Sequence, residues 1–148
     1  MDDKNGKVTI LIVDDVKMNL KRAEIILKRA LPCDIVLTES GRGCLQELLK
    51  RRADLVLLDY AMPELNGLET LRLMREYQRF QNIPVIFLTG SSDPLTIVKA
   101  MELKVDDYIC KPFKVDDLVR RVTKALLKHG WQPPEKEKTH EKDILTEK

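Results

Sequence analysis

The sequence predicts an α/β domain in which five parallel strands form a doubly wound sheet with helices on both faces. Three observations carry this reading. Short, nearly continuous apolar runs alternate five times with longer stretches of helical periodicity, as strands buried on both faces require. The connections between them are short, which implies parallel strands joined by right-handed crossovers. Four of the runs end in chemically reactive strings, Val13-Asp14-Asp15, Leu58-Asp59, Leu88-Thr89 and Cys110-Lys111-Pro112. In open parallel sheets functional groups gather outside the carboxyl ends of the strands.

The elements follow in order. Val8 to Val13 reads as the first strand, and Lys17 to Leu31 as a helix with Leu20, Ala23, Ile26, Leu27 and Ala30 on one stripe, ended by Pro32. Ile35 to Thr38 is a second strand. Ser40 caps a helix whose inner face is Cys44, Leu45, Leu48 and Leu49. Leu55 to Leu58 is the third strand, and Asn66-Gly67 opens a helix carrying Leu68, Leu71 and Met74. Pro84 to Leu88 is the fourth strand, followed by Asp93-Pro94 as a helix start with Ile97, Val98 and Met101 facing inward. Val105 to Ile109 is the fifth strand. The last helix carries Asp116 and Asp117 in its first turn and Lys124, Lys128 and His129 in its last, matching the helix dipole. Its inner face is Leu118, Val119, Val122, Ala125 and Leu126, with Gly130 as C-cap.

Composition narrows the function. The chain has 148 residues, 43% of them hydrophobic, which suffices for one domain with its own core. The division is a tail over 1–7, a domain over 8–130 and a linker or disordered tail over 131–148, where Gln132-Pro133-Pro134 precedes a charged run. A net charge of +2, with −1 in the tail, argues against direct nucleic-acid binding or an anionic membrane as partner. No run approaches the roughly 18 apolar residues of a membrane helix, and Met1-Asp2-Asp3-Lys4 lacks a signal-peptide layout, so the expectation is a cytoplasmic protein. Cys33, Cys44 and Cys110 are odd in number and lack a Cys-x-x-Cys pair, as expected of reduced thiols. Cys110 reads as a small buried hydrophobe in a strand in preference to a redox sensor.

Taken singly, the polar groups have ordinary readings: Asp14 and Asp15 as a helix start, Lys111 as a solvated lysine, Thr89 as a strand-end hydroxyl, Tyr108 as an edge-strand aromatic. Asp106-Asp107 reads as a solvated turn, His129 and His140 as helix-end and tail residues without metal-ligand spacing, and Met62, Met74 and Met101 as packing residues. Together, Asp14, Asp15, Asp59, Thr89 and Lys111 fall at one sheet edge. Three carboxylates there repel unless a divalent cation sits among them, and a lysine and a hydroxyl complete a site suited to a phosphoryl group.

Residues Val8 to about Lys128 resemble a receiver domain of two-component response regulators. The resemblance rests on Ile10-Leu11-Ile12-Val13-Asp14-Asp15, on Leu57-Leu58-Asp59-Tyr60-Ala61-Met62-Pro63 with Asn66-Gly67, on Phe87-Leu88-Thr89-Gly90, and on Asp106 to Phe113. It implies the flavodoxin-like strand order 2-1-3-4-5, Asp59 as phosphoacceptor, and Mg²⁺ held by Asp14, Asp15, Asp59 and the Ala61 carbonyl. It further implies Lys111 as a fixed positive charge, Thr89 and Tyr108 as a switch acting on the surface of the fourth helix, fifth strand and fifth helix, and a cis bond between Lys111 and Pro112. The implied partners are a histidine kinase or histidine phosphotransfer protein, an output domain or protein, and a homodimer formed on phosphorylation. The reaction is self-catalysed at Asp59, without enzymatic turnover.

Four positions depart from the family pattern. Lys104-Val105 stands where Gly-Ala is common, so a left-handed turn there costs about 1 kcal/mol relative to glycine. Ala61 and Ser91 are small where many relatives carry amide or acidic side chains, which implies slow loss of the phosphoryl group. The run Asp14 to Leu20 resembles receivers attached to larger kinases or cyclic-dinucleotide enzymes, a resemblance that implies a cut linker as the expectation for the segment after Gly130. The rival enzyme reading is a haloacid-dehalogenase-like phosphatase, yet that family needs a second aspartate where Ala61 stands, and alanine transfers no proton. A flavodoxin-like nucleotide or flavin binder needs a phosphate loop where this chain has Val13-Asp14-Asp15-Val16. A pseudo-receiver that is never phosphorylated would not need all five groups.

Overall fold

The computed structural model describes residues 6–90 and 94–134. Strands β1 (Val8–Val13), β2 (Cys33–Thr38), β3 (Leu55–Asp59), β4 (Val85–Thr89) and β5 (Asp107–Cys110) alternate with helices α1 (Lys17–Ala30), α2 (Gly41–Lys50), α3 (Gly67–Glu76), α4 (Pro94–Glu102) and α5 (Val115–Lys128). All strand pairs are parallel and the order is β2-β1-β3-β4-β5. This is the doubly wound sheet that the sequence predicts, in the flavodoxin-like order that the family resemblance implies.

Alternation along the strands builds two cores. Ile10, Ile12, Leu55, Leu57, Ile86 and Leu88 pack with Leu20, Ala23 and Leu27 of α1 and Leu118, Val122 and Ala125 of α5. The intervening Leu11, Val13, Val56, Leu58, Val85 and Phe87 pack with Cys44 and Leu48 of α2, Leu68, Leu71 and Met74 of α3 and Ala100 of α4. β3 and β4 are therefore buried at every position and β1 at every position but Thr9, while the edge strands β2 and β5 are only partly buried.

Helix ends follow local chemistry. Ser40 Oγ accepts from the Gly43 N–H at 2.9 Å. Asn66 and Glu69 form a reciprocal capping box at 2.8 and 2.9 Å. At the end of α5, Gly130 takes φ +100°. The Trp131 N–H bonds the Leu126 carbonyl and the Gly130 N–H that of Leu127, a Schellman termination. The N-cap expected at Asp93 lies outside the described residues, as do His140 and Ser91.

The structure corrects several local expectations. Ala30, Leu49, Val98 and Met101 are exposed, because each helix rests on the sheet along a narrower line than its apolar stripe suggests, and α4 contacts the core mainly through Ala100. Met62 and Met74 pack as expected. Cys110 is exposed, since it ends an edge strand one position after the buried Ile109. Cys33 and Cys44 are buried free thiols; burial pushes both up, Cys44 to about 12.

The Asp106-Asp107 pair is not a solvated turn. Asp106 Oδ1 accepts from the Val85 N–H at 3.3 Å and Asp106 Oδ2 lies 2.7 Å from His129 Nε2, while Asp107 opens β5 and pairs with Arg121 at 2.6 Å. Lys104 does take a left-handed φ of 63°. The Arg75 guanidinium gathers the carbonyls of Phe80, Ile83, Leu103 and Lys104 around that turn, at 2.8 to 3.2 Å. Trp131 packs partly buried against the α1–α5 core and donates from its indole to the Gly6 carbonyl at 2.7 Å, so packing continues one residue past Gly130.

Gly67 fits the entry of α3 onto the end of β3. A Cβ there would lie 2.5 Å from the Asp59 carbonyl oxygen and 2.8 Å from the Tyr60 Cα, while the Gly67 N–H bonds the Tyr60 carbonyl at 2.7 Å. Gly67→Ala is expected to lower the urea unfolding free energy by about 1–3 kcal/mol by forcing these backbones apart. An unchanged urea midpoint would show that the helix entry yields freely.

Candidate functional site

Parallel register delivers the polar groups to consecutive strand ends. Val13 lies opposite Leu58, Asp59 opposite Leu88, and Thr89 opposite Cys110. Asp14, Asp59, Thr89 and Lys111 thus stand side by side along the carboxyl edge, with Asp15 beside them. The Lys111 N–H donates to the Thr89 carbonyl at 2.7 Å, which ties the lysine's backbone to the end of β4. The Lys111–Pro112 bond is cis, as the resemblance implies.

Two of the acids are buried, at 0% exposure for Asp14 and 2% for Asp59. Lys111 Nζ lies 2.8 Å from Asp59 Oδ1 and 3.1 Å from Asp14 Oδ2. Asp14 Oδ1 accepts from the Val16 N–H at 2.9 Å. Asp14 Oδ2 is buried and receives no hydrogen bond of good geometry from the described residues, so the ammonium reaches it as an ion pair only. One carboxylate oxygen from each of Asp14, Asp15 and Asp59 lies within 4.8 Å of the other two, Asp15 being exposed. A buried anionic oxygen without a donor, within reach of two further carboxylates, fits a small hard cation.

Burial pushes the Asp59 carboxyl up to about 6; the hydrogen bond from Lys111 opposes the rise and the charge of Asp14 adds to it. Burial pulls Lys111 down, but Asp59 and then Asp14 outweigh it, so the lysine is held above its ordinary value and stays charged. An anionic oxygen kept poorly solvated beside a fixed cation suits attack on an anionic electrophile.

Thr89 is buried at the end of β4. Ala61 is exposed in the turn after β3. Tyr108 stands on β5 opposite Phe87, about one third exposed, and with Thr89, Thr96, Ile97 and Ala100 it borders a small cavity of about 20 Å³. Every expected site residue therefore falls at this edge or beside it. The sequence pattern marks Gly67 only as a helix start, but in the structure its lack of a side chain lets α3 rest against the Asp59 and Tyr60 backbone.

The fold and this site together define a class: signalling domains of doubly wound topology whose carboxyl edge carries an acid cluster facing a lysine. The family model described as response regulator receiver domain matches residues 10–123. The DNA-binding response regulator MtrA of Mycolicibacterium paratuberculosis is 35% identical over 126 residues, covering 85% of this chain and 54% of MtrA. The signal receiver domain of a signal transduction histidine kinase from Syntrophus aciditrophicus superposes with a TM-score of 0.76 at 31% identity, over 84% of this chain and 94% of that one. A putative response regulator from Chloroflexus aurantiacus gives 0.76 at 28% identity, over 82% and 98%.

The chain belongs to the response regulator receiver domain family and is a module of two-component signalling. It spans about half the length of the curated relatives it matches. The phosphatase alternative finds no support among these comparisons. No helix of the described residues is long and apolar enough to cross a membrane.

The raised Asp59 carboxyl has a consequence for stability in magnesium-free buffer. A folded value of about 6 against an ordinary 3.8 favours the folded state fully below pH 3.8, and this contribution is lost as pH rises through about 6. Asp59→Asn should therefore stabilise the metal-free protein by about 2–3 kcal/mol at pH 8, and by progressively less toward pH 4, in urea titrations. A gain independent of pH would contradict the assignment.

Proposed function

We propose that Asp59 is the phosphoacceptor of this receiver domain and takes its phosphoryl group from a histidine kinase or histidine phosphotransfer protein. The observation that carries the reading is the buried Asp59 carboxylate held 2.8 Å from a lysine ammonium, at the edge where Asp14 and Asp15 converge. An Asp59 oxygen attacks the phosphorus and forms the O–P bond. The N–P bond of the phosphohistidine breaks, and its electron pair stays on the imidazole nitrogen, which takes up a proton. Lys111 neutralises the approach of two anions. Thr89 donates its hydroxyl to a phosphoryl oxygen.

Asp14, Asp15, Asp59 and the Ala61 carbonyl would hold Mg²⁺, which supplies positive charge to the transferring phosphoryl group. The chain catalyses its own single modification and does not turn over as an enzyme. Movement of Thr89 toward the phosphoryl group frees space on the Tyr108 side, where the cavity already lies, and biases Tyr108 inward. The α4–β5–α5 surface changes with it and is read by an output domain or protein, or by a second copy in a phosphorylation-dependent homodimer. Nucleic acid is not contacted by this domain itself, whatever output it controls. We place this signalling in the cytoplasm.

Acetyl phosphate with Mg²⁺ should add one phosphoryl group, detected by intact mass; Asp59→Asn should take up none, and Lys111→Ala should react about 10²-fold more slowly. Labelling of Asp59→Asn at the wild-type rate would rule out this acceptor. Because the Ala61 methyl offers no hydrogen-bonding group to orient water, the phosphorylated state should be long-lived, and Ala61→Asn should shorten its half-life several-fold. An unchanged half-life would remove Ala61 as the cause.

A further inference from the structure

We propose that Arg22 is a positioning residue for the phosphoryl transfer at Asp59, acting by clamping the turn that carries Lys111; this rests on the reading of Asp59 just given. Arg22 Nη1 donates to the Phe113 carbonyl at 2.8 Å, and its Cζ lies 4.6 Å from the centroid of the Phe113 ring. One guanidinium thus grips the same residue by its backbone and by its π face. Among the described residues no carboxylate pairs with Arg22, so its charge is directed at Phe113.

Phe113 is 3% exposed in the core between α1 and α5, two residues beyond Lys111. The other side of the turn is held by the Lys111 N–H on the Thr89 carbonyl. A lysine side chain has four methylenes and many rotamers, so the place of its ammonium depends on how firmly its backbone is held. Arg22 supplies the hold from α1, the helix that begins at the acid pair and whose entry is tied to Asp14 through the Val16 N–H. The clamp therefore sets the separation between the element that carries the acids and the turn that carries the cation. Nothing in the spacing of the sequence motifs points to Arg22, which reads as one more charge on the outer face of a helix.

The experiment compares wild type, Arg22→Ala and Arg22→Lys, the last able to place a cation over Phe113. Phosphorylation by acetyl phosphate is timed at saturating Mg²⁺, the Mg²⁺ Kd is measured by calorimetry, and the Lys111 ammonium resonance is followed by NMR without phosphodonor. Arg22→Ala is expected to phosphorylate about tenfold more slowly with its Mg²⁺ Kd within about twofold of wild type, while Arg22→Lys recovers most of the rate. The Lys111 resonance should move toward that of a solvated lysine in Arg22→Ala only. An unchanged rate, a Kd that weakens in step with the rate, no recovery in Arg22→Lys, or an unmoved Lys111 resonance would each overturn the proposal. Should Arg22→Ala fail to fold, Arg22→Gln replaces it, with the same expected order of rates. If wild type itself takes up no phosphoryl group, the Asp59 reading fails, and the Lys111 resonance still decides the clamp.

Discussion

Two like charges are buried side by side at the carboxyl edge of the sheet, and one lysine ammonium lies within 3.1 Å of both. A buried carboxylate beside another would ordinarily take up a proton, since desolvation and mutual repulsion both penalise the anion. Lys111 restrains that response without abolishing it, which leaves Asp59 anionic near neutral pH yet short of solvation. The rest of the molecule holds this imbalance in place. A carboxylate kept in such a state is the one that gains most from further positive charge at this edge.

The fold supports the site from both faces. The central strands are buried almost throughout and sealed by helices above and below, so the strand ends cannot shift relative to one another without opening a core. Asp14 and Asp59 leave those ends directly. Lys111 is different, because it lies in a turn outside the sheet and depends on ties at either side: the Thr89 carbonyl before it and Phe113 after it. The acids are placed by the scaffold, the cation by its tethers, and that difference makes the lysine the adjustable partner.

The side facing β5 is the softer one. β5 has four residues, α4 contributes mainly Ala100 to the core, and Tyr108 is partly exposed beside a small cavity. The far ends of these elements are nevertheless fixed, with Arg75 gathering four carbonyls around Lys104 and Asp106 pairing with His129. A segment sparsely packed near the acid cluster and pinned at its base is suited to pivoting.

Fold class and the acid-lysine-hydroxyl site were legible in the chain, because buried parallel strands write themselves as continuous apolar runs and the last residue of each run is the one at the edge; the strand order followed only from the family resemblance. Asp14, Asp59, Thr89 and Lys111 needed no tertiary knowledge to be placed together. Periodicity failed where burial depends on how helices tilt and where an edge begins: Val98, Met101 and Leu49 proved exposed, Cys110 proved exposed, and Asp106 turned inward to meet a histidine from the far end of α5. Only the tertiary structure could decide that the Lys111 ammonium reaches both buried acids, that Gly67 rests on the Asp59 backbone, and that Arg22 grips Phe113 across 91 positions of sequence. Such contacts join elements distant in the chain, and no local pattern encodes a distance between them.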